Sequence, residues 1–188
     1  MNYLEHESLD ELIDDGAEEL SEHFGTFSAF QLGKMVFPPI KYAVPGLIPE
    51  GCSILAGRPK LGKSWLALDI ALAVARGNYC LGDFKCEQGD VLYLALEDNG
   101  RRLRSRVEKV SPPLALDSWP KALDFATEWE RCDEGGLDKL RQWADLKPNP
   151  RLIIVDVLAQ FRSGRGNSET FYESDYRAVR ACSNWQVI

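Results

Sequence analysis

Gly57-Arg58-Pro59-Lys60-Leu61-Gly62-Lys63-Ser64 sets two glycines, a lysine and a hydroxyl at the spacing that wraps a phosphate chain, the full Walker A pattern. Successive backbone N–H groups must approach the phosphate oxygens closely, and side chains at Gly57 and Gly62 would obstruct that approach. Lys63 then offers a point charge to the β- and γ-phosphates. The free N–H groups of a helix starting there add partial positive charge, and the Ser64 hydroxyl can enter a magnesium shell. The expected nucleotide-binding set is Gly57, Arg58, Pro59, Lys60, Leu61, Gly62, Lys63, Ser64 and Trp65. A Gly-rich turn capped by Ser64 is the bland alternative; a strand before the loop and an apolar helix after it favour the phosphate reading.

Two further acidic positions complete a chemistry. Leu152-Ile153-Ile154-Val155-Asp156 is an apolar run ending in a carboxylate, the pattern that holds an aspartate beside magnesium at a sheet edge, so Ser64 and Asp156 are the expected metal residues. Leu94-Ala95-Leu96-Glu97-Asp98 leaves two acids at the carboxyl end of another apolar strand, where open α/β sheets place their ligands. Glu97 is the expected catalytic base alongside Lys63: it can orient the water that attacks the γ-phosphate, and partial desolvation would raise its basicity. An N-cap role for Glu97 or Asp98 ahead of the next helix stays open. Both histidines, His6 and His23, lie near the N-terminus, so the chemistry runs on carboxylates, Lys, Arg and backbone rather than on a histidine triad or a zinc site.

These residues need a frame. Cys52 to Ala56 reads as the first core strand, and Ser64 to Arg76 as a helix with hardly any polar face, closed by Gly77. Asp90 to Leu96 is a strand covered on both faces, hence parallel. Arg101 to Val110 is a helix packed by Leu103, Val107 and Val110, Leu123 to Ala126 a weaker strand, Gly136 to Leu146 a helix, and Leu152 to Val157 another apolar strand. After a Gly-rich loop at Ser163 to Ser168 comes a last helix carrying Tyr172, Tyr176 and Val179 on one face. The alternation predicts a three-layer α/β fold with a mostly parallel central sheet.

A chain of 188 residues, 45% hydrophobic, is long enough for one substantial core. Its formal charge of −7 is local: residues 1 to 25 hold nine acids and no Lys or Arg, and setting those aside leaves +2. That acidic leader cannot bury enough apolar surface to order itself, so residues 1–25 are expected to be disordered and 26–188 to form the domain. The charge neither requires nor excludes a nucleic-acid partner. Five scattered cysteines, with no CxxC pair, suit reduced thiols and a cytoplasmic setting, and neither a membrane span nor a signal peptide is indicated. Arg162 and Arg165 after the second acidic strand could touch DNA phosphates but read as solvated loop residues, and the basic cluster from Arg101 to Lys109 reads as an exposed helix face.

Phe37-Pro38-Pro39, Pro45-Gly46-Leu47, the loop to Ser64 with Trp65-Leu66-Ala67-Leu68-Asp69, Leu96-Glu97-Asp98 and Leu152 to Asp156 together resemble the RecA-like P-loop ATPases, in particular the RepA-type replicative helicases of the AAA family ATPases. The resemblance implies ATP and Mg2+ as cofactors, Glu97 as catalytic glutamate, Asp156 as the Walker B aspartate, a homo-oligomeric ring, possible hexamers among complete relatives, and single-stranded DNA as partner. It also implies a further strand after the last helix, lying between the P-loop strand and the Walker B strand. This chain ends at Ile188, so a fold truncated at the C-terminus, its C-terminal strands missing and its turnover weak, is expected. Three functions follow: an ATP-hydrolysing helicase or DNA-replication motor domain, a non-hydrolysing nucleotide-binding remnant that acts by association with other subunits, and, less favoured, a small-molecule kinase.

Overall fold

The computed structural model describes residues 25–111, 119–164 and 170–183. The chain divides into two units, Met1–Pro39 and Ile40–Ile188. Within the first, helix α1 (Ala29–Lys34) starts at Ser28, whose Oγ accepts from Gln31 N while Gln31 Oε1 accepts from Ser28 N. This reciprocal capping box satisfies two otherwise orphaned donors. The acidic leader expected over residues 1–25 lies, apart from Gly25, outside the described residues.

The second unit is built on a parallel sheet of three strands in the order β6-β5-β7: β5 (Asp90–Ala95), β6 (Leu123–Ala126) and β7 (Pro150–Asp156). Val91 pairs with Leu123 on one side and Leu92 with Ile153 on the other. Strand β5 is central, and residues 91–95 are all buried. Alternation along it feeds two cores. Val91, Tyr93 and Ala95 face α2 (Lys63–Arg76) and α3 (Gly100–Val110), whereas Leu92 and Leu94 join Leu140 of α4 (Leu137–Asp145), Phe161 of α5 (Leu158–Phe161) and Ala178 of α6 (Phe171–Ser183). Helices thus cover both faces, the three-layer arrangement expected of buried parallel strands.

Helix α2 is the main prop of the first core. Leu68 and residues 70–75 are buried, and full burial of a Leu or Val contributes about 1.5–3 kcal/mol. Its first turn departs from the expected all-round burial: Trp65 is 41% exposed, so the end that carries the phosphate loop stays open to water. Gly77 ends the helix, its N–H bonding back into the last turn. Two hairpins, β1 (Tyr42–Val44) with β2 (Ile48–Pro49) and β3 (Tyr79–Cys80) with β4 (Phe84–Lys85), were not evident in the sequence. Asp69 ties the second to α2 by accepting from Leu81 N at 3.0 Å.

One expected element is corrected. Cys52 to Ala56 is not a strand: it is exposed, with Ile54 64% and Leu55 51% accessible. An apolar run becomes a strand only when a ladder partner takes its N–H and C=O groups, and among the described residues the sheet ends at β7 with no strand beside it. Leu137 rather than Gly136 opens α4, because the chain turns through non-helical backbone at Glu134 and Gly135, the latter at φ 94°, just before it. Residues 184–188, which follow α6 and on which the expectation of missing C-terminal strands bears, lie outside the described residues.

Candidate nucleotide site

The phosphate loop ends at Gly62, whose φ of 90° lies in the left-handed region that a side chain would disfavour. Lys60 shares that region at φ 66°. Gly57 does not; there a Cβ would stand 3.3 Å from Cδ1 of the exposed Leu61 side chain, which can move aside, so the loop by itself does not require glycine at that position. Gly62 O accepts from Trp65 N and Leu66 N, which starts α2 directly behind the loop. Lys63 Nζ spans the loop, donating to Gly57 O at 2.8 Å and Arg58 O at 2.9 Å. Arg58, Pro59, Lys60 and Leu61 are exposed, so the loop opens to solvent.

Beneath this loop the fold joins residues 92 positions apart. Ser64 Oγ donates to Asp156 Oδ1 at 3.0 Å. Tyr93, 0% exposed, donates its hydroxyl to Asp156 Oδ2 at 2.7 Å and stands 3.4 Å from Ser64 O. Burial first, then the bond to Asp156 and its charge, push the Tyr93 phenol up, which keeps it a donor. Asp156 is therefore held from two sides. A donor set of serine and carboxylate oxygens beside a lysine-spanned loop fits a hard cation that travels with a phosphate chain.

Glu97 stands at the same sheet edge. Ala95 pairs with Asp156 across the ladder, and Leu96 N donates to Asp156 O at 2.8 Å, which puts Glu97 just beyond. Its side chain is exposed, so the expected desolvation is absent, and among the described residues its carboxylate has no partner. The N-cap alternative for Glu97 and Asp98 is also corrected: Asn99 caps α3, its side chain accepting from Arg102 N at 3.0 Å. Asp98 instead holds two arginines. It pairs with Arg102 at 3.1 Å and with the largely buried Arg106, while Arg102 also donates to Glu97 O. Arg106 lies 5.2 Å from the centre of the Trp65 ring, so the turn carrying Glu97 is tied to the start of α2.

Tyr93 and Arg106 escaped the reading of the sequence. The signal for Tyr93 was available: a hydroxyl inside a strand otherwise apolar must find a partner when buried. Arg106 differs from its neighbours on α3, since Arg102 and Arg104 are more than 60% exposed and it is 18% exposed. Arg162, read as a solvated loop residue, pairs with Asp175 at 2.6 Å and is only 16% exposed; Arg165 lies outside the described residues.

Among the described residues no helix is long and apolar enough to cross a membrane. The loop, the serine–aspartate pair and the parallel sheet that sets them together have a counterpart among known families: residues 18–187 match the model of the AAA domain (AAA_25), and the chain belongs to this family of nucleotide-binding P-loop ATPases.

Proposed function

We propose that this chain binds ATP with Mg2+ and hydrolyses it as the ATPase domain of a RecA-like replication motor of the helicase type. The observation that carries the reading is the bond between Ser64 Oγ and Asp156 Oδ1 beneath a loop whose open face is crossed by the Lys63 ammonium. Lys63 and the backbone N–H groups of the loop from Gly57 to Ser64, Pro59 having none, hold the phosphates. Ser64 and Asp156 would hold magnesium, which when bound supplies neutralising charge to the phosphates. Glu97, exposed at the sheet edge, orients the attacking water for in-line displacement. The resemblance of the loop, Leu96-Glu97-Asp98 and Leu152 to Asp156 to the RepA-type helicases supports a homo-oligomeric ring, single-stranded DNA as partner and a cytoplasmic setting.

A second reading keeps nucleotide binding without turnover, the chain acting by association with other subunits. The segment Cys52–Ala56, which has no ladder partner among the described residues, favours it, because a ladder there would hold the residues leading into the loop rigid during catalysis. One sample separates the two. Calorimetric titration with Mg-ATP should give saturable binding that Lys63→Ala weakens about 10- to 100-fold, the loss of one charge-assisted contact of about 1.5–3 kcal/mol. Phosphate release above the Lys63→Ala background supports the first reading; binding without release supports the second. No saturable binding by folded protein would end both.

A further inference from the structure

The buried hydroxyl of Tyr93 has no counterpart in the chemistry so far assigned to the site, and its surroundings give it a task. It lies on the α2 face of β5, packed with its ring centre 5.7 Å from that of Phe125 and fully enclosed. Two acceptors are near it, and the shorter contact, 2.7 Å to Asp156 Oδ2 against 3.4 Å to Ser64 O, takes the single proton. With Oδ2 so engaged, turning the carboxylate about its own axis would break that bond, and Oδ1 is kept toward Ser64 Oγ at 3.0 Å. A serine that gives its proton to Asp156 has its lone pairs left to point elsewhere. The chain tyrosine, aspartate, serine therefore sets the direction of the Ser64 lone pairs.

We infer that Tyr93 is a positioning residue for the divalent cation of the nucleotide site, acting through Asp156 on Ser64. The inference rests on the magnesium-nucleotide reading and assigns that site a third member, one that touches neither metal nor nucleotide. It separates two roles a buried tyrosine can have. A tyrosine that only fills the core affects stability and leaves the metal step alone; one that fixes Asp156 affects the metal step specifically, because phosphate contacts to Lys63 and the loop amides do not pass through it.

The test is Tyr93→Phe, which keeps the ring and removes the hydroxyl. Nucleotide affinity is measured by titration calorimetry twice, with excess Mg2+ and with EDTA, and Mg2+ is titrated separately into nucleotide-saturated protein. The expected result is about a tenfold loss of affinity in Mg2+, an equal rise in the apparent Mg2+ constant, and metal-free affinity within about twofold of the parent, the size of one hydrogen bond to a charged group. Equal losses with and without metal, or no loss in either, overturn the positioning role. Nucleotide binding by the parent that is insensitive to Mg2+ also overturns it while leaving nucleotide binding intact; no binding by the parent overturns the functional reading itself, and this inference with it. If Tyr93→Phe does not fold, 3-fluorotyrosine placed at position 93 preserves ring and hydroxyl. Its fluorine resonance should shift when Mg2+ reaches the nucleotide-saturated protein, and a resonance that stays put overturns the inference.

Discussion

Asp156 and Glu97 close neighbouring strands of one sheet under opposite conditions. Asp156 has each oxygen engaged, by Ser64 and by Tyr93, in a half-buried corner; Glu97 is exposed, and among the described residues its carboxylate has no partner while its backbone carbonyl is held by Arg102. The difference follows from what each is proposed to do. A residue that fixes a cation beside Ser64 works through geometry that can be set before ligand arrives, and the fold sets it with buried donors. A residue that orients water has no partner until the γ-phosphate and the water are in place, so its hydrogen bonds belong to the loaded state.

Glu97→Gln is the largest expected break in this comparison. An amide keeps the size of the side chain but cannot take a proton, so turnover in a hydrolysing preparation should fall about 10²- to 10⁴-fold. Nucleotide affinity should stay within about twofold, because the side chain is exposed and has no hydrogen bond or ion pair to the loop among the described residues. Phosphate release assayed beside calorimetry checks both halves, and a loss of affinity would place Glu97 among the binding residues.

Asp156→Ala comes next and acts on the held side. Magnesium-dependent affinity should drop about 10- to 100-fold, and the protein should also lose about 1–3 kcal/mol of stability, since the enclosed Tyr93 hydroxyl is left without its acceptor. Denaturant titration and metal titration measure the two losses separately. Asp98→Asn probes the ground between the two carboxylates. It removes the charge that Arg106 and Arg102 share, which should cost about 1–2 kcal/mol and, by loosening the turn that carries Glu97, lower kcat severalfold with KM unchanged. A KM change instead would mean that Arg106 and Trp65 act on the loop rather than on the turn.

The residues of this site were legible in the sequence to different degrees. The loop from Gly57 to Ser64 was readable as a tight turn into a helix because its residue types stand at a fixed spacing, and the place of Asp156 because an apolar run marks the strand that it ends; an aspartate there is common as a turn cap, so only the loop upstream made it a candidate. Strands β5, β6 and β7 were readable from apolar runs of the right length. Cys52–Ala56 misled because apolarity reports a tendency to be buried, while a strand also needs a neighbour, and pairing is not written in the run itself. Arg102, Arg106 and the identity of Tyr93's partner were hidden for a related reason: the partners lie on other elements or depend on helix phase, so they appear only when β5, β7, α2 and α3 are packed together.

Asp124 offers the smallest effect and tests whether being held is enough to make a carboxylate part of the site. It pairs with Leu92, near the end of the sheet remote from Asp156, and accepts from Trp143 Nε1 at 2.7 Å and Lys147 Nζ at 2.6 Å. Burial alone would raise its pKa, but the bonds from Lys147 and Trp143 and the Lys147 charge outweigh it, and the net shift is downward. A folded-state value below the unfolded one, about 3.9, means that the stabilisation is fully present above that unfolded value and is lost as pH falls through the folded one. Because the side chain is 40% exposed, solvent screening limits the contribution to less than about 1 kcal/mol. Asp124→Asn should therefore lower Tm slightly at pH 7, and the two melting curves should converge toward pH 3 and below. Nucleotide affinity, with and without Mg2+, should not change. Parallel Tm profiles would remove the ion pair as the cause, and a change in affinity would show that restraint of a carboxylate anywhere on this sheet reaches the loop, so that the contrast between Asp156 and Glu97 reflects the rigidity of the whole sheet rather than the design of one corner.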